Sequence, residues 1–258
     1  DNVIAALAIP DVERGPVWWD GWTADTIGIA WDSLYQRYAR LGQDGTISVR
    51  TIPDDRELQH LESKPLTRAD TAGGQLAFSP DGRFIARVDE TGKLSIWRWE
   101  SGESVLKNAP AKCSALAFSP DSRRVAVGHD GWITCFDLIT GEESRRWQTR
   151  DRAYTMSFHP DNRRLAVGYS NSNGISIYNA DDGGHLADLP TGDSIQTIVA
   201  WHPDGNLLAT GGSDPRIQIW DVKAQRKVAV LEGHVQQVTL LSFHAGGDLL
   251  HSDSWDGV

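Results

Sequence analysis

An all-β fold built from repeated four-stranded antiparallel sheets is predicted for this 258-residue chain by three observations. A motif recurs about every 40 residues. A second, alternating strand follows each copy. Gly, Pro and Asp punctuate short apolar runs throughout, and Met occurs once.

The motif is plainest in "LAFSPDGRFIAR" (Leu76 to Arg87), "LAFSPDSRRVAV" (Leu116 to Val127), "MSFHPDNRRLAV" (Met156 to Val167) and "VAWHPDGNLLAT" (Val199 to Thr210). Degenerate copies begin at Ile29 and Leu241. The anchoring aromatics Trp31, Phe78, Phe118, Phe158, Trp201 and Phe243 are spaced by 47, 40, 40, 43 and 42 residues. The turn inside each motif has a physical basis: Pro presets φ, Asp caps the turn, and Gly accepts positive φ. The following strand reads "TISVR", "LSIWR", "ITCFD", "ISIYN" and "IQIWD" in successive copies. Its period-2 alternation marks a strand with distinct faces. A turn such as "TGEE" (Thr140 to Glu143) and a fourth, outer strand close each unit.

The stretch "IQIWDVKAQRKVAVLEGH" (Ile217 to His234) carries both Trp220-Asp221 and Gly233-His234. With the repeat period, this resembles the WD40 repeat family over about 245 residues. The resemblance implies a β-propeller of four-stranded blades. The repeats are expected at approximately 23–66, 67–108, 109–148, 149–190, 191–232 and 233–258, the last incomplete. Laying the sixth repeat on the fifth puts Asp256 on Asp214. Trp255-Asp256 then falls in a turn and does not close a repeat. Laying "WWDGW" (Trp18 to Trp22) on "VLEGH" (Val230 to His234) makes residues 13–19 an outer strand. The expectation is a partial propeller over 13–258: an N-terminal outer strand, five full blades and part of a sixth. Residues 1–12 form a linker or short helix ended by Pro10. Seven blades would need roughly 290 residues, so further blade sequence is expected beyond residue 258. An open ring leaves unpaired edge strands, an aggregation liability.

The resemblance also implies a buried hydrogen-bond chain of His, Ser or Thr, Asp and Trp in each blade. Here it is broken. The fifth repeat offers Thr210, Asp214 and Trp220, with Gly192 where His would stand. The sixth offers His234, Ser252 and Asp256. Earlier repeats put Arg40, Arg87, Val127 and Val167 at the Ser/Thr position, and the arginines are expected to reach toward blade edges.

The formal charge of −10 opposes broad binding to a phosphate backbone. Cys113 and Cys135 form neither a disulfide framework nor a metal motif and read as half-buried thiols. The longest apolar run, Val3 to Ile9, is too short to span a bilayer, so no direct membrane insertion is expected. His159, His202 and His244 share one turn position and read as solvent-facing residues on separate blades. "NADDGG" (Asn179 to Gly184) lacks the ligand alternation of a calcium loop. No phosphate-loop or dinucleotide glycine motif occurs. No catalytic residue, metal or cofactor is therefore assigned. His234, Ser252 and Asp256 are formally a Ser-His-Asp set, but without a Gly-x-Ser-x-Gly elbow they read as structural.

What remains is surface. Loops before the first strands and between the second and third share one face, the contact face that the WD40 resemblance implies. Its large residues are Trp22, His129, Trp132, Asn171, Asn173 and Trp255, candidate anchors for a protein or peptide partner. The opposite face carries Arg83, Arg123-Arg124 and Arg163-Arg164 among Asp residues. It reads as a solvated mixed-charge rim and not as a nucleic-acid site. The expected function is a non-catalytic interaction scaffold or sensor. A propeller-based hydrolase or peptidase, with its site at the central channel, is the alternative. The segment "VIAALAIPDVERGPVWWDGW" with "YARLGQDGTISVR" also resembles the start of the WD40 region in bacterial Hanks-type serine/threonine protein kinases. That would make this chain a C-terminal arm, cytoplasmic by default and extracytoplasmic if tethered behind a transmembrane kinase. No kinase catalytic motif lies in these residues.

Overall fold

The computed structural model describes residues 25–62, 76–89, 91–171, 174–190, 195, 197–244 and 246–256. The expected N-terminal helix and outer strand, together with Gly192, lie outside the described residues. The described elements are all strands. Two compact units divide at Val105 and Leu106.

The first unit holds two four-stranded antiparallel sheets. One comprises β1 (Thr26–Trp31), β2 (Arg37–Gly42), β3 (Ile47–Thr51) and β4 (Glu57–Leu61). The other comprises β5 (Leu76–Phe78), β6 (Phe84–Val88), β7 (Leu94–Arg98) and β8 (Glu103–Ser104). In both, the strands are hydrogen-bonded in chain order. Ala39, Leu41, Ile47, Val49 and Leu61 of the first sheet pack on Ile85, Trp97 and Trp99 of the second. Arg87 is 1% exposed, and its Nη1 donates to the Gly45 carbonyl at 3.1 Å. The expectation that it would reach a blade edge is corrected. Arg87 sits in the core and holds a turn of the neighbouring sheet. Burial of so large a cation demands such an acceptor.

The second unit repeats the architecture. Its sheets are β9 (Cys113–Phe118) to β12 (Glu143–Gln148), β13 (Ala153–Phe158) to β16 (His185–Leu189), and β17 (Ile198–Trp201) to β20 (Arg226–Leu231). The second and third strands of these sheets are β10 (Arg124–His129) and β11 (Trp132–Asp137), β14 (Arg164–Tyr169) and β15 (Ile175–Asn179), and β18 (Leu207–Gly211) and β19 (Ile217–Asp221). A two-stranded sheet, β21 (Val238–Phe243) with β22 (Leu250–Ser254), follows. Alternation along β14 sends Leu165 and Val167 toward the sheet before it and Ala166 toward the sheet after it. Leu165 and Val167 share a cluster with Ala126, Ile133, Cys135 and Trp147. Ala166, Ile175 and Ile177 share another with Val199, Trp201, Leu208 and Trp220. Ile198, Ala209 and Ile219 pack in turn on Val238 and Leu241. Each cluster joins one repeat to the next. Cys113 and Cys135 are fully buried rather than half-buried, and burial pushes the Cys135 thiol up to about 12.

The turn between the first and second strands is the same in every repeat. Its fourth residue has positive φ: Tyr35, Gly82, Ser122, Asn162, Gly205 and Gly247. The N–H of that residue donates to the carbonyl three residues back, at 2.8 to 3.1 Å. Ser79 and Ser119 accept from the N–H five residues on, at 2.9 Å in both. Where His replaces Ser, the ring reaches further. Asp161 N–H donates to His159 Nδ1 at 2.9 Å, and His159 Nε2 donates to the Gly205 carbonyl at 2.9 Å. His202 repeats this on Gly247, also at 2.9 Å. The solvent-facing reading of these residues is corrected: His159 is buried, His202 is partly buried, and only His244 is exposed. Each inward imidazole lies edge-on to the aromatic that anchors the next repeat, His159 on Trp201 and His202 on Phe243.

Two predictions follow from this turn. A Cβ on Gly205 would lie 2.2 Å from His159 Nε2, at a φ of +77°. Gly205→Ala should cost about 1–3 kcal/mol, combining backbone strain with a displaced clasp. Urea unfolding within 0.5 kcal/mol of the parent, a threshold of about half a typical hydrogen bond, would refute it. For Asp161, burial alone would raise the carboxyl. The N–H groups of Arg163 and Arg164 and the Arg164 guanidinium outweigh it and bring the pKa to about 2. The carboxylate therefore contributes stability above its ordinary value near 3.8, and that contribution fades as pH falls toward about 2. Asp161→Asn should flatten the acid limb of a thermal-unfolding pH profile in that window.

Candidate interaction face

In the second unit the first strands lie side by side. Ser114 Oγ donates to the Ala153 carbonyl at 2.8 Å, and Thr155 Oγ1 to the Thr197 carbonyl at 2.9 Å. The loops before these strands therefore gather at one end, with the connections between second and third strands. The clasped turns occupy the other end.

Three of the six expected face residues stand exposed at that end. Trp132 is 39% exposed and Trp255 is 71% exposed. Trp132 begins β11 after a two-residue turn, Asp130-Gly131, whose φ values are 44° and 78°. This is the hairpin geometry that matches strand twist. Trp255 N–H donates to the Gln237 carbonyl at 3.1 Å. Asn171 is exposed, and its amide donates to the Asp151 carboxylate. Trp22 and Asn173 lie outside the described residues. His129 is a correction: it is only 9% exposed and its Nε2 lies 2.8 Å from Thr134 Oγ1. Burial, and then the Arg146 cation, hold its pKa below the ordinary imidazole value. His129 is thus a neutral core residue. Val125 to His129 of β10 are all buried, so neither face of this strand leaves its last residue in solvent. The sequence reading missed Ile195 and Val235, exposed in loops of the same end.

The expected hydrogen-bond residues form two separate sets. Trp220 Nε1 donates to Thr210 Oγ1 at 3.2 Å, and both residues are buried. Asp214, in the same repeat, holds Arg216 at 2.7 Å. In the next repeat His234 joins Ser252 through Nε2 at 2.8 Å and Asp256 through Nδ1 at 3.2 Å. Asp256 also accepts the Val235 N–H at 2.8 Å. This fastens the loop before β21 to the turn after β22. Thr210→Val would leave the Trp220 indole N–H buried without its acceptor. It should cost about 1–3 kcal/mol in chemical denaturation, and a neutral effect would show that the pair is dispensable.

At the opposite end, the rim arginines are engaged. In the second unit Arg124 and Arg163 pair with Asp181 and Arg164 with Asp161; in the first unit, Arg83 pairs with Asp81. Among the described residues, no group of three His, Cys, Asp or Glu side chains could hold a metal ion. No described helix is long and apolar enough to cross a membrane.

The comparisons with known proteins agree with this architecture. Residues 104–137 and 184–221 match the family model "WD domain, G-beta repeat". The chain is 38% identical over 91 residues to Pre-mRNA-processing factor 19 of Oryza sativa subsp. japonica, covering 34% of this chain and 17% of that protein. It is 26% identical over 187 residues to the Periodic tryptophan protein 2 homolog of Dictyostelium discoideum, covering 70% and 16%. It is 25% identical over 211 residues to Transducin beta-like protein 3 of Bos taurus, covering 79% and 20%. The chain thus spans a fifth or less of the length of these relatives. All three are eukaryotic and lend nothing to the resemblance to a bacterial kinase. Two segments match the family model, and the remaining described four-stranded sheets share their turn chemistry and strand pairing, an architecture of four-stranded antiparallel blades consistent with that family.

Proposed function

We propose that the chain is a non-catalytic scaffold that presents the loop end of its sheets to a protein or peptide partner. The observation that carries this reading is the exposure, at one end of the sheets, of Trp132 beside a two-residue hairpin turn and of Trp255, whose N–H is hydrogen-bonded to the Gln237 carbonyl. Large aromatics already held in place lose little entropy on binding and bury much area. Ile195 and Val235 add apolar surface at the same end. The relatives' names, a pre-mRNA-processing factor and a transducin beta-like protein, name no hydrolase. The kinase-arm reading rests on a segment that is mostly outside the described residues, and nothing in the comparisons supports it.

One observation favours the hydrolase alternative. Ser252, His234 and Asp256 are connected in triad order, beside a cavity of about 350 Å³ lined also by Ile217, Leu231 and Leu250. The local backbone argues against it. Ser252 lies in the middle of β22, paired with Leu241 across the sheet, rather than on a sharp turn. The Asp256 carboxylate is shared with a backbone N–H that ties down a loop.

The test separates the two readings. Trp132→Ser combined with Trp255→Ser should leave thermal unfolding close to the parent and abolish co-purification of the bound partner. Ser252→Ala should leave partner binding intact. Ester or peptide turnover by the parent that disappears in Ser252→Ala would overturn the scaffold reading.

A further inference from the structure

At the clasped end of the second unit, three chain segments converge on the turn between β15 and β16. This is the "NADDGG" stretch. Its Gly183 has a φ of +77°, and a Cβ there would lie 2.8 Å from Trp147 Cβ. The glycine lets the turn press against the outer strand of the preceding sheet. That contact places Asp181 among three arginines. Arg124 Nη1 lies 2.8 Å from Asp181 Oδ1, and Arg163 Nε lies 3.6 Å from Oδ2. Arg145 Nε donates to the Asp181 backbone carbonyl at 3.2 Å.

The neighbouring carboxylates are committed elsewhere. Asp182 accepts from Asn179 Nδ2 at 3.0 Å and from Gly184 N–H at 2.7 Å. Asp161 pairs with Arg164 at 2.8 Å. Asp121 accepts from Ser119 Oγ at 2.6 Å and from Arg123 N–H at 3.1 Å. The Asp181 carboxylate therefore serves two guanidiniums while its backbone carbonyl holds a third, on a chain whose formal charge is −10. The arrangement is ordered from inside outward. The Arg124 side chain is 20% exposed, lies over the Phe158 ring and donates to the Asn162 carbonyl. The Arg163 side chain is 77% exposed and that of Asp181 is 49% exposed.

We propose that this seam docks an acidic peptide segment of a partner protein, whose carboxylates continue the charge alternation that Asp181 begins. Guanidinium forks match carboxylates in plane and in donor spacing. Arg124, held by its own contacts, costs little to order. The partner is a short acidic run and not a nucleic acid, because the strongly negative chain repels an extended polyanion, while the exposed guanidinium forks of Arg145 and Arg163 can each take up a single carboxylate. This site stands on different residues, and on the other end of the sheets, from the loop face.

The probe is fluorescein-labelled hexaglutamate, titrated with the full chain and followed by fluorescence anisotropy at about 10 mM ionic strength, where screening is weak. Saturable binding is expected. Arg145→Ala with Arg163→Ala, both surface changes, should weaken it about 2- to 10-fold, and Asp181→Asn should tighten it about 2- to 5-fold, as expected for exposed charge pairs. Circular dichroism should match the parent for all variants. Asp181→Asn keeps the test decisive if the arginine variant misfolds, because it predicts a gain. Absence of hexaglutamate binding, equal affinity in the double variant, or no gain in Asp181→Asn would overturn the proposal. An oligonucleotide of the same charge that displaced hexaglutamate as effectively would overturn it too, by assigning the patch to charge alone.

Discussion

Every described four-stranded sheet in this protein has to bury apolar side chains, and in the interior of the second unit both faces require cover. β14 illustrates the constraint: Leu165 and Val167 face one neighbour and Ala166 the other, all at 0% exposure. A strand with two buried faces cannot be stable in an isolated sheet. Burying one Val or Leu contributes about 1.5–3 kcal/mol, and those contributions lie between repeats instead of within them. Stability is therefore a nearest-neighbour property, as in other repeat architectures.

The clasped turns give that packing its register. Apolar faces alone tolerate sliding, whereas a hydrogen bond from His159 to Gly205, or from His202 to Gly247, fixes one sheet against the next. The imidazole does this by dividing its two nitrogens. Nδ1 accepts from its own turn and Nε2 donates to the following one. In the third repeat the same span is bridged differently, by Asp121 N–H donating to Asn162 Oδ1 at 2.9 Å. Different side chains thus meet one geometric need, because the receiving turn always offers the same left-handed corner.

A framework fixed in this way is suited to holding side chains still at its two ends. The loop end keeps Trp132 in place beside a two-residue hairpin turn and ties Trp255 to the Gln237 carbonyl. The clasped end collects charge, and most of that charge is matched. The exception is the turn at Asp181, which inter-sheet packing through Gly183 carries into the neighbouring sheet's arginines. Scaffold function in this reading follows from rigidity at the ends and requires no moving part.

The sequence by itself determined the repeat, the strand alternation and the turn with its positive-φ corner, since each depends on residues close together in the chain. It also identified Trp132 and Trp255 as large residues in loops, because turn signals flank them. Only the tertiary structure decided which way His159 and His202 point, that Arg87 is swallowed by the core, and that Arg124, Arg145 and Arg163 share one aspartate. Those outcomes depend on a second sheet whose atoms lie about 40 residues away in sequence, and no local pattern records how two sheet faces meet.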